Sequence, residues 1–326
     1  MITNGTFATG ALSPWTTSAA PTAADLVTRI QSNVLEFYRT TTSTSGAISQ
    51  NTGVAIPALT PLEARLSIGN SSAVRKRLTV TLEDANDPTR LQNCVFWLPA
   101  SSTLKTFIVR TYTPGAWGNL KLTLSEGTAT GSGWLRVDNV EVRQQPGGSI
   151  SATTCTDPNI PTAASGTDAA NLFSNGDFSN GVNGWYFGGD ITYQLTAGVL
   201  EFYKTVGGAA NATVVNTTAQ LNAASRFELT LDLGNSSATA KRITVILNDG
   251  DWTDSQTCNF WLPGNTALAR HTMRTFNYTT WNPVHVSIFE SVSGQAWTQL
   301  DNVDLRRRST LNLVGTECYQ PGAALP

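Results

Sequence analysis

Apolar and polar residues alternate along short stretches of this chain. In Arg242-Ile243-Thr244-Val245-Ile246-Leu247, the side chains of Ile243, Val245 and Leu247 fall to one side, with Arg242 and Thr244 on the other. Leu78, Val80 and Leu82 repeat the pattern earlier. A period of two belongs to a strand with one face against a core. Runs of similar character occupy 199–204, 227–233, 271–277, 284–289 and 300–306, separated by clusters of Gly, Asn and Ser that favour turns.

The pattern occurs twice. Asn4-Gly5-Thr6-Phe7 returns as Asn175-Gly176-Asp177-Phe178, and Val34-Leu35-Glu36-Phe37-Tyr38 as Val199-Leu200-Glu201-Phe202-Tyr203. LSIGNSSA from Leu66 returns as LDLGNSSA from Leu231, CVFWLP from Cys94 as CNFWLP from Cys258, and WLRVDNVEVR from Trp134 as WTQLDNVDLR from Trp297. The offset drifts by only a few residues, so insertions fall in loops while a strand framework is kept. About eight or nine short strands per repeat and no helix predict an all-β fold: two tandem jelly-roll-like β-sandwich domains. The expected boundaries are a first module at 1–145, a linker rich in Pro, Gly, Ser and Thr at 146–170 carrying Cys155, a second module at 171–308, and a tail at 309–326 with Cys318.

Composition narrows the function. Of 326 residues only 13% are charged, with a formal net charge of −2, so no broad electropositive surface exists to neutralise a phosphate backbone; a nucleic-acid partner is not expected. The basic run Arg306-Arg307-Arg308 reads as a solvated strand end. No apolar stretch approaches the roughly 20 residues of a transmembrane helix, and the first residues lack a basic, apolar, small-residue leader pattern.

Four cysteines sit at matched places, with Cys94 and Cys155 in the first copy and Cys258 and Cys318 in the second. Four allow three pairings, but a duplicated module that keeps its own bridge predicts Cys94–Cys155 and Cys258–Cys318. Such bridges place the chain in an oxidising setting, outside the cell or on its surface. Zinc would need closer cysteine spacing and more histidines than His271 and His285. Neither histidine has a counterpart in the first repeat, and no nucleophile–base arrangement is shared by both copies, so no catalytic residues are assigned and an enzyme is not expected. The carboxylates that are shared, Glu36 with Glu201 and Glu63 with Glu228, stand beside Arg and Tyr on strands, as ion-paired sheet residues do.

An Asn-Gly-Asp-Phe opening at Asn175 to Phe178, a Gly184-Trp185 pair soon after, and the closing Leu300-Asp301-Asn302-Val303-Asp304-Leu305 together resemble extracellular carbohydrate-binding modules of families 4, 9 and 22. The resemblance implies a jelly-roll β-sandwich and a polysaccharide or glycan as partner. It also implies a structural calcium ion held by Asp177 with Asp301 in the second module, and by Thr6 with Asp138 in the first. Thr6 carries no carboxylate, and Ala8 and Ser179 stand where the family usually has an acidic residue.

Sugar sites combine an aromatic platform with converging hydrogen-bonding groups. Trp117 and Trp281, in the turn-like contexts Pro114-Gly115-Ala116-Trp117 and Thr280-Trp281-Asn282-Pro283, are the expected platforms. Strand alternation adds an outward set of Glu36, Tyr38, Arg77 and Arg110, matched by Glu201, Tyr203, Arg242 and Arg274. That set reads equally as a sugar cleft or as a cross-strand ion-pair ladder. Two functions follow: polysaccharide binding by two tandem non-catalytic modules, or a structural or adhesive surface protein whose strand edges mediate self-association.

Overall fold

The computed structural model describes all residues except 42–44, 128–132, 206–211, 218–219, 292–295, 323, 324 and 326. The chain forms two compact units, Met1–Asn159 and Ile160–Pro326. Each is a β-sandwich built from antiparallel ladders, as the alternating pattern predicts.

In the first unit the strands are β1 (Thr16–Ala20), β2 (Leu26–Gln31), β3 (Val34–Arg39), β4 (Ser45–Asn51), β5 (Pro61–Asn70), β6 (Lys76–Asp84), β7 (Asp87–Leu98), β8 (Ser102–Tyr112), β9 (Leu120–Glu126), β10 (Leu135–Gln144) and β11 (Ala152–Thr156). One sheet has the order β1-β4-β9-β6-β7 and the facing one β2-β3-β10-β5-β8-β11. The second unit repeats this with β12 (Trp185–Phe187), β13 (Ile191–Thr196), β14 (Val199–Lys204), β15 (Ala212–Asn216), β16 (Arg226–Asn235), β17 (Lys241–Asp249), β18 (Ser255–Leu262), β19 (Thr266–Phe276), β20 (Val284–Glu290), β21 (Thr298–Arg307) and β22 (Gly315–Tyr319). Its sheets run β12-β15-β20-β17-β18 and β13-β14-β21-β16-β19-β22. Among the described residues no helix is long and apolar enough to cross a membrane.

Among the described residues, eleven strands per unit exceed the eight or nine expected. The additional ones are edge strands, which carry little apolar alternation because only part of their length covers the core: β1 reads Thr-Thr-Ser-Ala-Ala. The segments 146–170 and 309–326, expected to be linker and tail, each contain a strand as well. β11 pairs with β8 and β22 with β19, and the disulfides Cys94–Cys155 and Cys258–Cys318 join each of these strands to the facing sheet of its own unit. Both predicted bridges are present.

The repeated opening motif acts as a lock on the closing strand. Val140 N donates to Gly5 O and Val303 N to Gly176 O, both at 2.9 Å. A Cβ at either glycine would lie 2.1 or 2.0 Å from the Val140 or Val303 carbonyl oxygen, so only glycine fits. Asn175 Nδ2 ties down the following turn through Gly181 O and Asn183 O, as Asn4 Nδ2 does through Ala11 O and Ser13 O. Phe7 and Phe178 pass into the core against Trp15 and Trp185, whose indole N–H groups donate back to Asn4 O and Asn175 O. Asn175, Gly176, Phe178, Trp185 and Val303, among the residues that carry the family resemblance, are therefore accounted for by folding.

A second shared device is a buried ion pair. Lys76 Nζ lies 2.6 Å from Glu126 Oε1 with both side chains fully buried, and Lys241 pairs with Glu290 in the same way. The other carboxylate oxygens accept Arg39 N and Lys204 N from the facing sheet. Burial pushes both glutamates up, against the pull of their lysines.

Candidate carbohydrate-binding face

Trp117 and Trp281 are not platforms. They are 1% and 0% exposed, inside the hydrophobic cores. Each makes an isolated backbone bridge, Trp117 with Ile56 and Trp281 with Leu221. Trp281 lies near-parallel to Phe227 and donates its indole N–H to Asp254 Oδ2 at 3.0 Å. The Pro-Gly and Asn-Pro contexts correctly signal irregular backbone, but a large apolar ring on such a segment is buried when the core lies beneath it.

The outward set predicted from alternation is divided between two sheets. Glu36, Tyr38 and Arg110 lie on the six-stranded sheet and Arg77 on the five-stranded one; Glu201, Tyr203 and Arg274 are likewise separated from Arg242. On the six-stranded sheet the ladder reading holds. Glu36 stands between Arg29 and Arg136 in register and pairs with both. Glu201 occupies the same place between Gln194 and Gln299, accepting hydrogen bonds at 2.6 and 3.0 Å. Arg110 and Arg143 flank Glu63, and Arg274 and Arg308 hold Glu228. Tyr38 and Tyr203 pack edge-on against Trp134 and Trp297, with Arg29 stacked over Trp134 at 4.0 Å. These groups satisfy one another.

The outer face of the five-stranded sheet is different. Strand register arranges its outward residues in rows that correspond between units. In the first unit, Arg77 lies opposite Trp97; Ala47, Ser125, Thr79 and Val95 form the second row; Ser49, Thr123, Thr81 and Asn93 the third; and Lys121, Glu83 and Leu91 the fourth. In the second unit the rows are Arg242 with Trp261, then Phe289, Thr244 and Asn259, then Ser287, Ile246 and Thr257, then His285, Asn248 and Ser255. Arg75 and Arg77 approach the Trp97 ring at 4.2 and 5.7 Å. Tyr186 on edge strand β12 is 66% exposed.

Outward residues in the middle of this face are shielded from water. Thr81, Glu83, Thr257, Asn259, Asn248 and Ser287 point away from the core yet are all buried, the last two to 0%. They are cross-linked: Thr244 Oγ1 donates to Asn259 Oδ1 at 2.7 Å, Ser287 Oγ to Asn248 Oδ1 at 3.3 Å, and Thr123 Oγ1 to Glu83 Oε1 at 2.7 Å. The half-buried hydroxyl and amide groups of these rows, Ser49, Thr79, Asn93, Thr123 and Ser125 in the first unit and Thr244 in the second, can receive neutral, hydroxyl-rich ligands. Trp97, 3% exposed beneath Arg75 and Arg77, is by contrast nearly as buried as Trp117. Sequence reasoning had Arg77, Arg242 and Thr244 outward but missed the partners that cross-strand register supplies. The matched tryptophans of CVFWLP and CNFWLP were the available signal.

Two histidines complete the inventory. His271 is buried, bonded through Nδ1 to Ala269 O, and burial lowers it to about 4, against the smaller opposing effects of that bond and of Asp232. His285 lies in the fourth row and burial lowers it as well.

The calcium implied by the resemblance fits the two units unequally. In the second, Asp301 lies opposite Asp232 in register; burial, then repulsion from Asp232 and Asp177, pushes its carboxyl up, which a cation would relieve. Arg270 and Asn302 already hold Asp232, and Ser179 donates twice to Asp177. In the first, Asp138 faces Ser67, accepts from Asn139, and has Thr6 where the second unit has Asp177. Among the described residues no group of three or more His, Cys, Asp or Glu side chains gathers at metal-binding distance.

No protein-family model and no curated protein matches the chain. Solved structures do. The tandem CBM22-1–CBM22-2 domain of Paenibacillus barcinonensis Xyn10C aligns over 93% of this chain and 96% of its own, at 13% identity and a TM-score of 0.35. TmCBM61, solved with β-1,4-galactotriose, aligns over 44% of this chain and 97% of its own, at 18% identity and 0.35. A family 4 carbohydrate-binding module aligns over 40% of this chain and 99% of its own, at 18% identity and 0.32. The functional reading below rests on this chain's own side chains.

Proposed function

We propose that the chain is a non-catalytic, extracellular polysaccharide-binding protein whose two units each receive a glycan across the outer face of the five-stranded sheet. The supporting observation is the set of outward hydroxyl and amide groups that register aligns in matched rows beside the Arg77–Trp97 and Arg242–Trp261 pairs. Non-catalytic binding is favoured because the carboxylate on this floor differs between copies: Glu83 is ion-paired to Lys121, and its counterpart is Asn248. The disulfides accord with an oxidising compartment.

Thr79 and Thr244 hold corresponding, half-buried positions on the two floors. A tryptophan at either place covers the outward face without entering the core. The variants Thr79→Trp and Thr244→Trp are expected each to weaken retention on insoluble polysaccharide while still unfolding cooperatively; Thr244→Trp also removes the donor to Asn259 Oδ1 and should lower the melting temperature more than Thr79→Trp. Full retention by the double variant would refute the reading.

We further propose that the second unit holds a structural calcium ion through Asp177 and Asp301. Calcium should raise the melting temperature of the parent and not of Asp301→Asn; a melting temperature indifferent to chelator would count against the ion.

A further inference from the structure

Strand β13 ends the six-stranded sheet of the second unit, and among the described residues no strand pairs with its outer flank. The matching strand of the first unit, β2, carries Arg29, which is held by Glu36 and stacked over Trp134. β13 reads Ile-Thr-Tyr-Gln-Leu-Thr, without charge or proline, and pairs with β14 over its whole length without a bulge. It leaves Tyr193 44% and Leu195 39% exposed. Free N–H and C=O groups along such an edge are a template for another strand, and proteins ordinarily blunt it with charge, proline, a bulge or brevity. Other edges here are blunted in these ways: β7 carries Asp87, Pro88 and Arg90, β12 is three residues long, and β1 presents only Thr, Ser and Ala.

Register fixes what the β13 edge offers. Its hairpin with β14 turns through Ala197 and Gly198, with φ of 51° and 86°, and a two-residue turn of this kind closes on a hydrogen-bonded pair, here Thr196 with Val199. Alternation then directs the N–H and C=O of Thr192 and Gln194 toward β14, and those of Tyr193 and Leu195 toward water. Ile191 N is already taken by Gly188 O at 3.0 Å. The side chains of Tyr193 and Leu195 share the core-side face, opposite the buried Phe202 and Leu200. Tyr193 is held in place there by stacking on Phe187, with centroids 3.8 Å apart and planes at 13°.

We propose, independently of the polysaccharide reading, that β13 pairs with β13 of a second copy of this chain, antiparallel about a two-fold axis through Gln194. Tyr193 of each copy then lies opposite Leu195 of the other, and their free backbone groups form reciprocal hydrogen bonds on both sides of the axis. Gln194 faces its own equivalent at a non-hydrogen-bonded position, and Thr192 faces Thr196. The strand is self-complementary: each exposed apolar side chain meets an apolar one on the same face, and no charge meets a like charge. An unrelated strand would need its own matching pair, whereas a second copy supplies it by symmetry. Two short paired strands are a small contact against the roughly 1,200 Å² that a stable interface buries, so the dimer is weak and reversible.

Every native cysteine is in a disulfide, so one added thiol reports the contact. Gln194→Cys places it on the axis, at a position where facing residues stand close enough to bridge. This variant of the full chain should form a disulfide-linked dimer under mild oxidation at high protein concentration, while Arg29→Cys on the matching edge of the first unit stays monomeric. In sedimentation velocity the weight-average coefficient of the parent should rise with concentration, and Gln194→Arg should abolish the rise. That variant reproduces the Arg29–Glu36 arrangement of the first unit against Glu201, so its melting temperature should hold. A parent that remains monomeric at every concentration, or equal cross-linking by the two cysteine variants, would overturn the proposal. So would association that survives Gln194→Arg, which places the contact elsewhere, or a monomeric parent whose retention on polysaccharide falls with Tyr193→Ala, which assigns the edge to a glycan.

Discussion

Glu63 shows how much a single side chain on the six-stranded sheet contributes. Burial would push its carboxyl up, but hydrogen bonds from Arg65, Arg110 and Arg143 outweigh this and hold it at about 2 against an ordinary 4.5. A carboxyl depressed by folding contributes stability that is complete above its unfolded value and is lost as the pH falls through its folded one. Glu63→Gln should therefore unfold at lower urea than the parent at neutral pH, and should lose less further stability between pH 4.5 and 2. Trp281→Ala should cost about 3 to 5 kcal/mol, the usual penalty for emptying a buried aromatic site, and it also leaves Asp254 Oδ2 short of one donor. An exposed binding platform at that position would instead tolerate alanine with no change in the unfolding midpoint.

At the scale of elements, the buried Lys76–Glu126 pair and the disulfides hold the facing sheets together by different means. Lys76→Met strands the Glu126 carboxyl in the core and should destabilise by about 3 to 5 kcal/mol, much of which a second change, Glu126→Leu, should restore. Chemical denaturation of the single and double variants separates this from a packing effect. Removing Cys94–Cys155 by paired serine substitution should cost about 4 kcal/mol on the loop-entropy account. The strands themselves were largely legible: β14 spans the predicted 199–204, and β16, β19, β20 and β21 appear where alternation placed them. Edge strands such as β1 were not, because a strand with one flank in water has no need of a regular apolar face.

For the whole molecule, two binding faces on one chain should act together on a repeating polymer. Retention by insoluble polysaccharide should drop modestly with Thr79→Trp or Thr244→Trp alone and much more steeply with both. Equal retention by either single variant and the double would mean that one unit does the binding.

By itself the sequence determined the duplication, the all-β class, the disulfide pairing and which strand residues face away from the core. All of these follow from local period or from comparing one copy with the other. Tertiary structure decided which outward residues share a sheet. Glu36 and Arg77 have the same parity on their strands but lie on opposite faces of the sandwich, and parity carries no information about strand order. It also decided the fate of aromatics on irregular segments. Trp117 and Trp281 turn inward while Trp252 remains in water, because a loop's sequence sets its backbone and the neighbouring core sets where its side chains go.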